Sequence, residues 1–231
     1  MQHLNLTFDY ETGEATGQNM VSICTHTVCL WIAQQIMDEL PDVKLEWFIE
    51  ENVLSGEKRN SSLNAIFGRG VSVIAEASIP ERVLQSVLKL NSAAVYDMFD
   101  PYRERCLRSG SGSTQIGNVA NVIAATYAAL GQDLGSVGES SQSFLNVKVR
   151  TDAEGGIDVK LNMPCITVGT IGGGTGLPTQ QQCLKLMGCT GPKSNFKLAE
   201  IIASVCLAGD LSLMAAIGSG QHASAHALLG R

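Results

Sequence analysis

Several absences narrow the reading before any motif is considered. The 231-residue chain sets 16 Lys and Arg against 22 Asp and Glu, a net charge of −6. With no excess of counterion-releasing cations, general binding to a nucleic-acid backbone is excluded, although a local basic cluster for a phosphorylated cofactor is not. None of the seven cysteines forms a C-x₂-C pair. An odd number of thiols in apolar runs reads as reduced cysteine in a cytosolic protein. Cys24 and Cys29, five apart in a helical pattern, read as core thiols. No charged n-region leads into an apolar h-region, so no signal peptide is read and the expected location is the cytoplasm. The longest apolar run, residues 199–217, contains Glu200 and Asp210, which points to a buried helix and not a membrane span. His222 and His226 are four apart, but no third ligand pattern accompanies them, so no metal site is expected. There is no internal repeat and no low-complexity linker.

What is present is a core-forming composition, 45% hydrophobic and 16% charged. The length suits one large domain, or a small domain joined to a larger one. Residues 3–10 alternate, with Leu4, Leu6 and Phe8 on one face, and predict a half-buried strand. A small-residue loop carrying Glu14 follows. From 20 to 40 apolar residues recur every three or four, and Pro41 stops the helix. Residues 44–54 read as the next strand. This strand–loop–helix–strand order leaves a helix N-terminus behind a glycine-containing loop, which suits a phosphate. The spacing is not G-x-G-x-x-G, so an ordinary Rossmann fingerprint is not supported.

Residues 55–61 form a polar loop and 71–79 a strand, after which Pro80 and Glu81 open a helix. The Gly-, Ser- and Arg-rich stretch 100–117 reads as loop. A helix over 120–130 ends at Gly131, and two strands over 145–162 enclose a turn at 152–156. A short helix over 180–187 and a long one over 195–217 precede a tail hinged at Gly218 and Gly220. The chain is organised around residues 164–176, PCITVGTIGGGTG. Three consecutive glycines serve neither strand nor helix. They meet a need for positive φ, or for backbone N–H groups close to an anion or to another backbone.

GTIGGGT at 169–175, GEATGQNM at 13–20, GQDLGSVGESS at 131–141, LPTQQQCLKLMGCTGP at 177–192, AEIIASVCLAGDLSLMAA at 199–216 and GQHASAHALLGR at 220–231 occur in one order. Together they resemble the catalytic domain of the 3-hydroxy-3-methylglutaryl-CoA (HMG-CoA) reductase family, NADPH enzymes that make mevalonate by two hydride transfers. The resemblance implies an α+β fold, with a small ferredoxin-like cofactor domain at residues 1–55 and a larger helix-rich catalytic domain at 56–231. It implies Lys58 at the developing oxyanion, Asp133 tuning that lysine, and His226 protonating the departing CoA thiolate. It places Asn121, Glu57 and Arg59 at the substrate, and Glu14, Ala15, Gly17, Asn19, Gly172, Gly173, Gly174 and Thr175 at NADPH. The implied partners are HMG-CoA or a related acyl-CoA thioester and a second copy in a homodimer or higher homo-oligomer, with no nucleic acid and no membrane span.

The chain departs from the family at marked places. Glu14 and Glu57 stand for Asp, Arg59 stands for a second Lys, and residues 114–117 replace a Gly-Tyr-Asn segment. Two HMG-CoA-binding motifs, one carrying the catalytic glutamate, have no match. Three expectations follow: an NADPH-dependent reductase of the mevalonate pathway, a repurposed dinucleotide- or CoA-binding homologue, or one half of a split reductase whose partner chain supplies the absent motifs.

Overall fold

Strict alternation makes the sheet. The computed structural model describes residues 4–230. In β1 (Val71–Ile79) buried Val71, Val73 and Ala75 alternate with exposed Ser72, Ile74 and Glu76. β3 (Ile157–Ile166) lies between β1 and β2 (Phe144–Val149), antiparallel to both, with Ala75 opposite Leu161 and Val147 opposite Val159. As the central strand it is buried almost throughout its second half. The expected turn over 152–156 joins β2 to β3.

Helices cover the sheet. α1 is Gln18–Glu39, α2 Ser62–Phe67 and α3 the short turn Glu81–Val83, which runs into a wider turn over Leu84–Leu88. α4 (Ser92–Arg108), α5 (Val119–Leu130) and α6 (Val137–Ser140) precede the β2–β3 hairpin, and α7 (Pro178–Leu186), α8 (Ser194–Gly218) and α9 (Gln221–Leu229) follow it. α5 buries Val119, Ile123, Tyr127 and Leu130, one stripe at helical spacing. It packs on α8, which also lies against β1 and β3. α8 is the core helix expected over 195–217, with Leu198, Ile202, Cys206 and Met214 fully or almost fully buried. Each such side chain contributes roughly 1.5–3 kcal/mol of burial. α1 and α8 are both long and apolar enough to cross a membrane by length and composition alone.

Buried Asp210 of α8 fastens the approach to α5, accepting hydrogen bonds from the Ile116 and Asn118 amides at 2.9 and 3.0 Å. Burial pushes its carboxyl up despite those two donors.

The structure differs from the sequence reading in four places. Residues 4–10 form no strand, with Leu4 and Leu6 exposed, and 44–54 hold only a 3₁₀ turn at Val53–Ser55; His3 lies outside the described residues. Among the described residues no neighbouring strand takes up their backbone groups, and a strand without a neighbour is not stable. Residues 4–55 are tied to α1 by side chains instead, Tyr10 to Thr25 and His26 to Glu50. Cys24 is exposed and Cys29 half-buried, because α1 buries Thr25 alone. The stretch 100–108, read as loop, is the C-terminal half of α4, with Pro101 inside it. Burial of Val95 and Phe99 outweighs the lost proline hydrogen bond, and Arg105 and Arg108 in the last turn complement the helix dipole.

Candidate functional site

Three consecutive residues after α5 hold the site together. Gly131 caps α5 in the left-handed region, φ 68°. A Cβ there would strike the Gly174 carbonyl, and one on Gly174 would strike the Gly131 carbonyl, so the glycine loop lies backbone to backbone on this cap. Buried Gln132 then clamps the strand leading into that loop. Its amide N–H donates to Gly169 O and its carbonyl accepts from Gly169 N, both at 2.8 Å. Asp133 accepts from Gly135 N at 2.9 Å and lies 3.4 Å from the Lys58 ammonium.

The 13–20 loop lies beside the glycine loop, as the two expected cofactor segments require. Ala15 and Ile171 form a parallel bridge, and Thr170 N donates to Glu14 O at 2.8 Å. A Cβ on Gly169 would strike Thr16. The N-terminus of α8 closes the group. Lys193 N donates to the Glu14 carboxylate at 2.8 Å, Asn195 donates to Gly13 O at 3.0 Å, and the Thr170 and Ser194 hydroxyls are paired.

The glycine triad divides by role. Gly172 and Gly173 have φ of 78° and 52°, and a Cβ on either would meet nothing within 4 Å. Gly174 serves the contact with Gly131. Thr175 is buried and its hydroxyl donates to Gly172 O at 2.6 Å, bracing the loop from below. At the head of α1, Gly17 (φ 80°) supplies no side-chain cap, and the buried Gln18 Nε2 has no partner among the described residues. Open glycine backbone beside uncapped helix N–H groups fits a phosphate-bearing cofactor. Asn19 is exposed on the first turn of α1.

Lys58 sits in a strained, tightly braced loop. Its φ is 57°, uncommon for a residue with a Cβ. Asn64 donates to the carbonyls of Gly56 and Arg59, both at 2.8 Å, and Ser61 caps α2 through Asn64 N. Gly138 must be small, since a Cβ would strike the Lys58 carbonyl. Two carboxylates flank the half-exposed ammonium, Asp133 and Glu57, each at 3.4 Å. They raise its pKa, Asp133 most.

Behind Lys58 runs a second line of charge. Arg69 reaches Glu57 at 3.7 Å and the wholly buried Glu139 at 3.8 Å. Neither Glu139 oxygen has a hydrogen bond among the described residues, and burial pushes its carboxyl up. Gln132, Lys193, Asn195 and Glu139 carry no role in the sequence reading. Lys193 and Asn195 offer no local signal, whereas Gln132 and Glu139 lie inside the 131–141 motif with Asp133.

The side chains of three expected residues make no hydrogen bond or ion pair with Lys58, Asp133 or Glu57 among the described residues. Asn121 is exposed on the first turn of α5, and Arg59 is exposed. His226 is exposed on α9, its ring 4.4 Å from that of His222. Gly220, φ 73°, separates α9 from α8.

Comparison with known proteins bears on the whole chain. The family model described as hydroxymethylglutaryl-coenzyme A reductase matches residues 1–231. The chain is similar to the 3-hydroxy-3-methylglutaryl-coenzyme A reductase of Aeropyrum pernix, 38% identical over 232 residues, covering 98% of this chain and 53% of the relative. The Pyrococcus horikoshii protein of the same name is 35% identical over 240 residues, covering 99% and 55%. Reductase 1 of Solanum tuberosum is 37% identical over 238 residues, covering 97% and 38%. The chain thus spans about half the length of the first two relatives, and less of the third.

Proposed function

The chain belongs to the hydroxymethylglutaryl-coenzyme A reductase family, and from that membership we propose that it serves the NADPH-dependent reduction of HMG-CoA to mevalonate in the cytoplasm. The observation that carries the reading is the run Gly131, Gln132, Asp133, which joins the glycine loop to the Lys58 group. Residues 1–55 act as the cofactor domain, ferredoxin-like once strands are added beside α1, and 56–231 as the catalytic domain. The working unit is a homodimer.

Gly172 and Gly173, with Gly17, Gln18 and Asn19, would hold the pyrophosphate end of the cofactor. Each reduced nicotinamide bound there would supply one hydride, so two cofactor molecules would be used in turn. As a hydride reaches the thioester carbonyl, negative charge grows on its oxygen. The Lys58 ammonium, kept protonated by Asp133 and Glu57, stabilises that charge. Collapse of the hemithioacetal breaks the C–S bond. His226, brought over the site by rotation of α9 at Gly220, gives its proton to the departing thiolate. The same lysine then serves the aldehyde carbonyl at the second transfer.

NADPH oxidation by the purified chain, with HMG-CoA and separately with mevaldate plus CoA, tests this. Turnover on either that disappears in Lys58→Ala supports the reductase. The share of the relatives' length spanned, about half, favours a second reading: a cofactor-binding half, or a homologue turned to another use. NADPH binding without turnover on either substrate supports that one.

A further inference from the structure

β1 is an edge strand. It pairs with β3 on one side, and no backbone N–H or C=O of residues 71–79 has another hydrogen-bond partner among the described residues. A groove of about 630 Å³ runs between that edge and α8. Residues 71–77 line it consecutively, buried and exposed positions alike. A sheet face would contribute every second residue, so this wall is the backbone edge itself. The opposite wall is α8, through Phe196, Ser204, Leu207, Ala208 and Leu211. Ile74 and Phe196 are half exposed although apolar. The lining holds two charges, Glu76 and Glu200, and no cation.

We propose that this groove receives an extended, lysine- or arginine-bearing segment from outside these 231 residues, which adds a strand to the sheet beyond β1. Backbone hydrogen bonds fix its register, alternate apolar side chains enter the groove, and a Lys or Arg faces Glu200, which has no ion pair among the described residues. An uncovered edge of nine residues is otherwise a liability that proteins shield with charge, proline or a covering element. β1 has no proline, and its one charged residue, Glu76, is paired with Lys160 at 2.8 Å. A second copy pairing through its own β1 fits poorly. That strand brings no cation and would set a second Glu76 against an already acidic groove. Relatives nearly twice as long as this chain carry length enough to supply such a strand, so the proposal rests on family membership and not on the reductase reading.

The test uses the full chain and a fluorescein-labelled nine-residue peptide of alternating Thr and Val with two central lysines. Saturable anisotropy is expected, with slowed hydrogen exchange at β1 amides. Affinity should fall at least about tenfold when alternate peptide nitrogens are methylated, when glutamates replace the lysines, and in Glu200→Lys, whose site is exposed and outside the Lys58 group. Absence of saturation overturns the proposal. So does equal binding of the methylated peptide, which means apolar adsorption without strand pairing. Protection of β1 amides that grows with protein concentration, without peptide, assigns the edge to a second copy instead.

Discussion

Gly131 shows what a single backbone position carries here. It needs a positive φ to end α5, and it needs no Cβ so that Gly174 can lie against it. Gly131→Ala is therefore expected to cost about 2–3 kcal/mol, from left-handed strain plus the clash. In a chain of this length that lowers Tm by roughly 5–10 °C, read by calorimetry. Gly172→Ala meets the strain without the clash, so its Tm should fall by about half as much, while its NADPH affinity drops. Equal Tm losses would show that the open loop is packed after all. Glu139 makes the opposite case, a residue whose removal should help. Its folded-state pKa is raised above 4.5, first by burial, so the folded chain holds that proton more tightly than the unfolded one. The favourable contribution is complete below the unfolded pKa and is lost as pH rises through the folded value. Glu139→Gln should then gain stability relative to the parent at pH 8, and the gain should vanish near pH 4. Urea unfolding at the two pH values reads it. A destabilised variant at pH 8 would mean that the attraction to Arg69 outweighs the cost of burying the charge.

Among the elements, those that a sequence reveals are those whose period is set by the core they face. α5 and α8 were legible as apolar helices, β1 as a strand, and β2 and β3 as two strands about a turn, because each has a buried face inside this chain. The strands read at 3–10 and 44–54 alternate equally well, but alternation specifies a face and not a neighbour. α4 was cut short because a proline and several charges weigh against a helix locally, whereas Phe99 and Tyr102 decide it through packing. The site was legible in its motifs, since the glycine loop, the 13–20 loop, Lys58 and Asp133 do converge. Its bracing was not. Lys193 lies 179 residues from the Glu14 that it holds, and no local pattern announces such a contact. Asp210 is of the same kind, a core-helix carboxylate that fixes the loop before α5 from 94 residues away. Asp210→Ala leaves two amide donors unpaired and should cost about 2–4 kcal/mol. Asp210→Asn keeps an acceptor and should recover part of that loss. Chemical unfolding of the two variants separates the hydrogen bonds from the negative charge.

For the whole molecule, the uncovered apolar surface is concentrated in the first 55 residues. α1 exposes Met20, Ile23, Leu30, Trp31 and Met37, which share one face about 120° wide, and buries Thr25 alone, on the opposite face. An apolar stripe is ordinarily the face a helix turns to its neighbours, and an exposed patch of this kind marks an association surface. On the homodimer proposed above, one further surface packed on this layer would cover the α1 stripe and the stretches 4–10 and 44–54, which pair with no strand among the described residues. That surface differs in kind from the β1 groove, which offers backbone groups and carboxylates where α1 offers side chains. A homodimer formed through α1 would bury Trp31, now 63% exposed. Sedimentation should therefore show self-association that strengthens with concentration. Trp31→Glu should shift the chain to monomer, while Glu200→Lys at the groove should leave the association unchanged. A parent chain that stays monomeric as its concentration is raised, with solvent-exposed tryptophan emission throughout, would leave α1 to a different polypeptide.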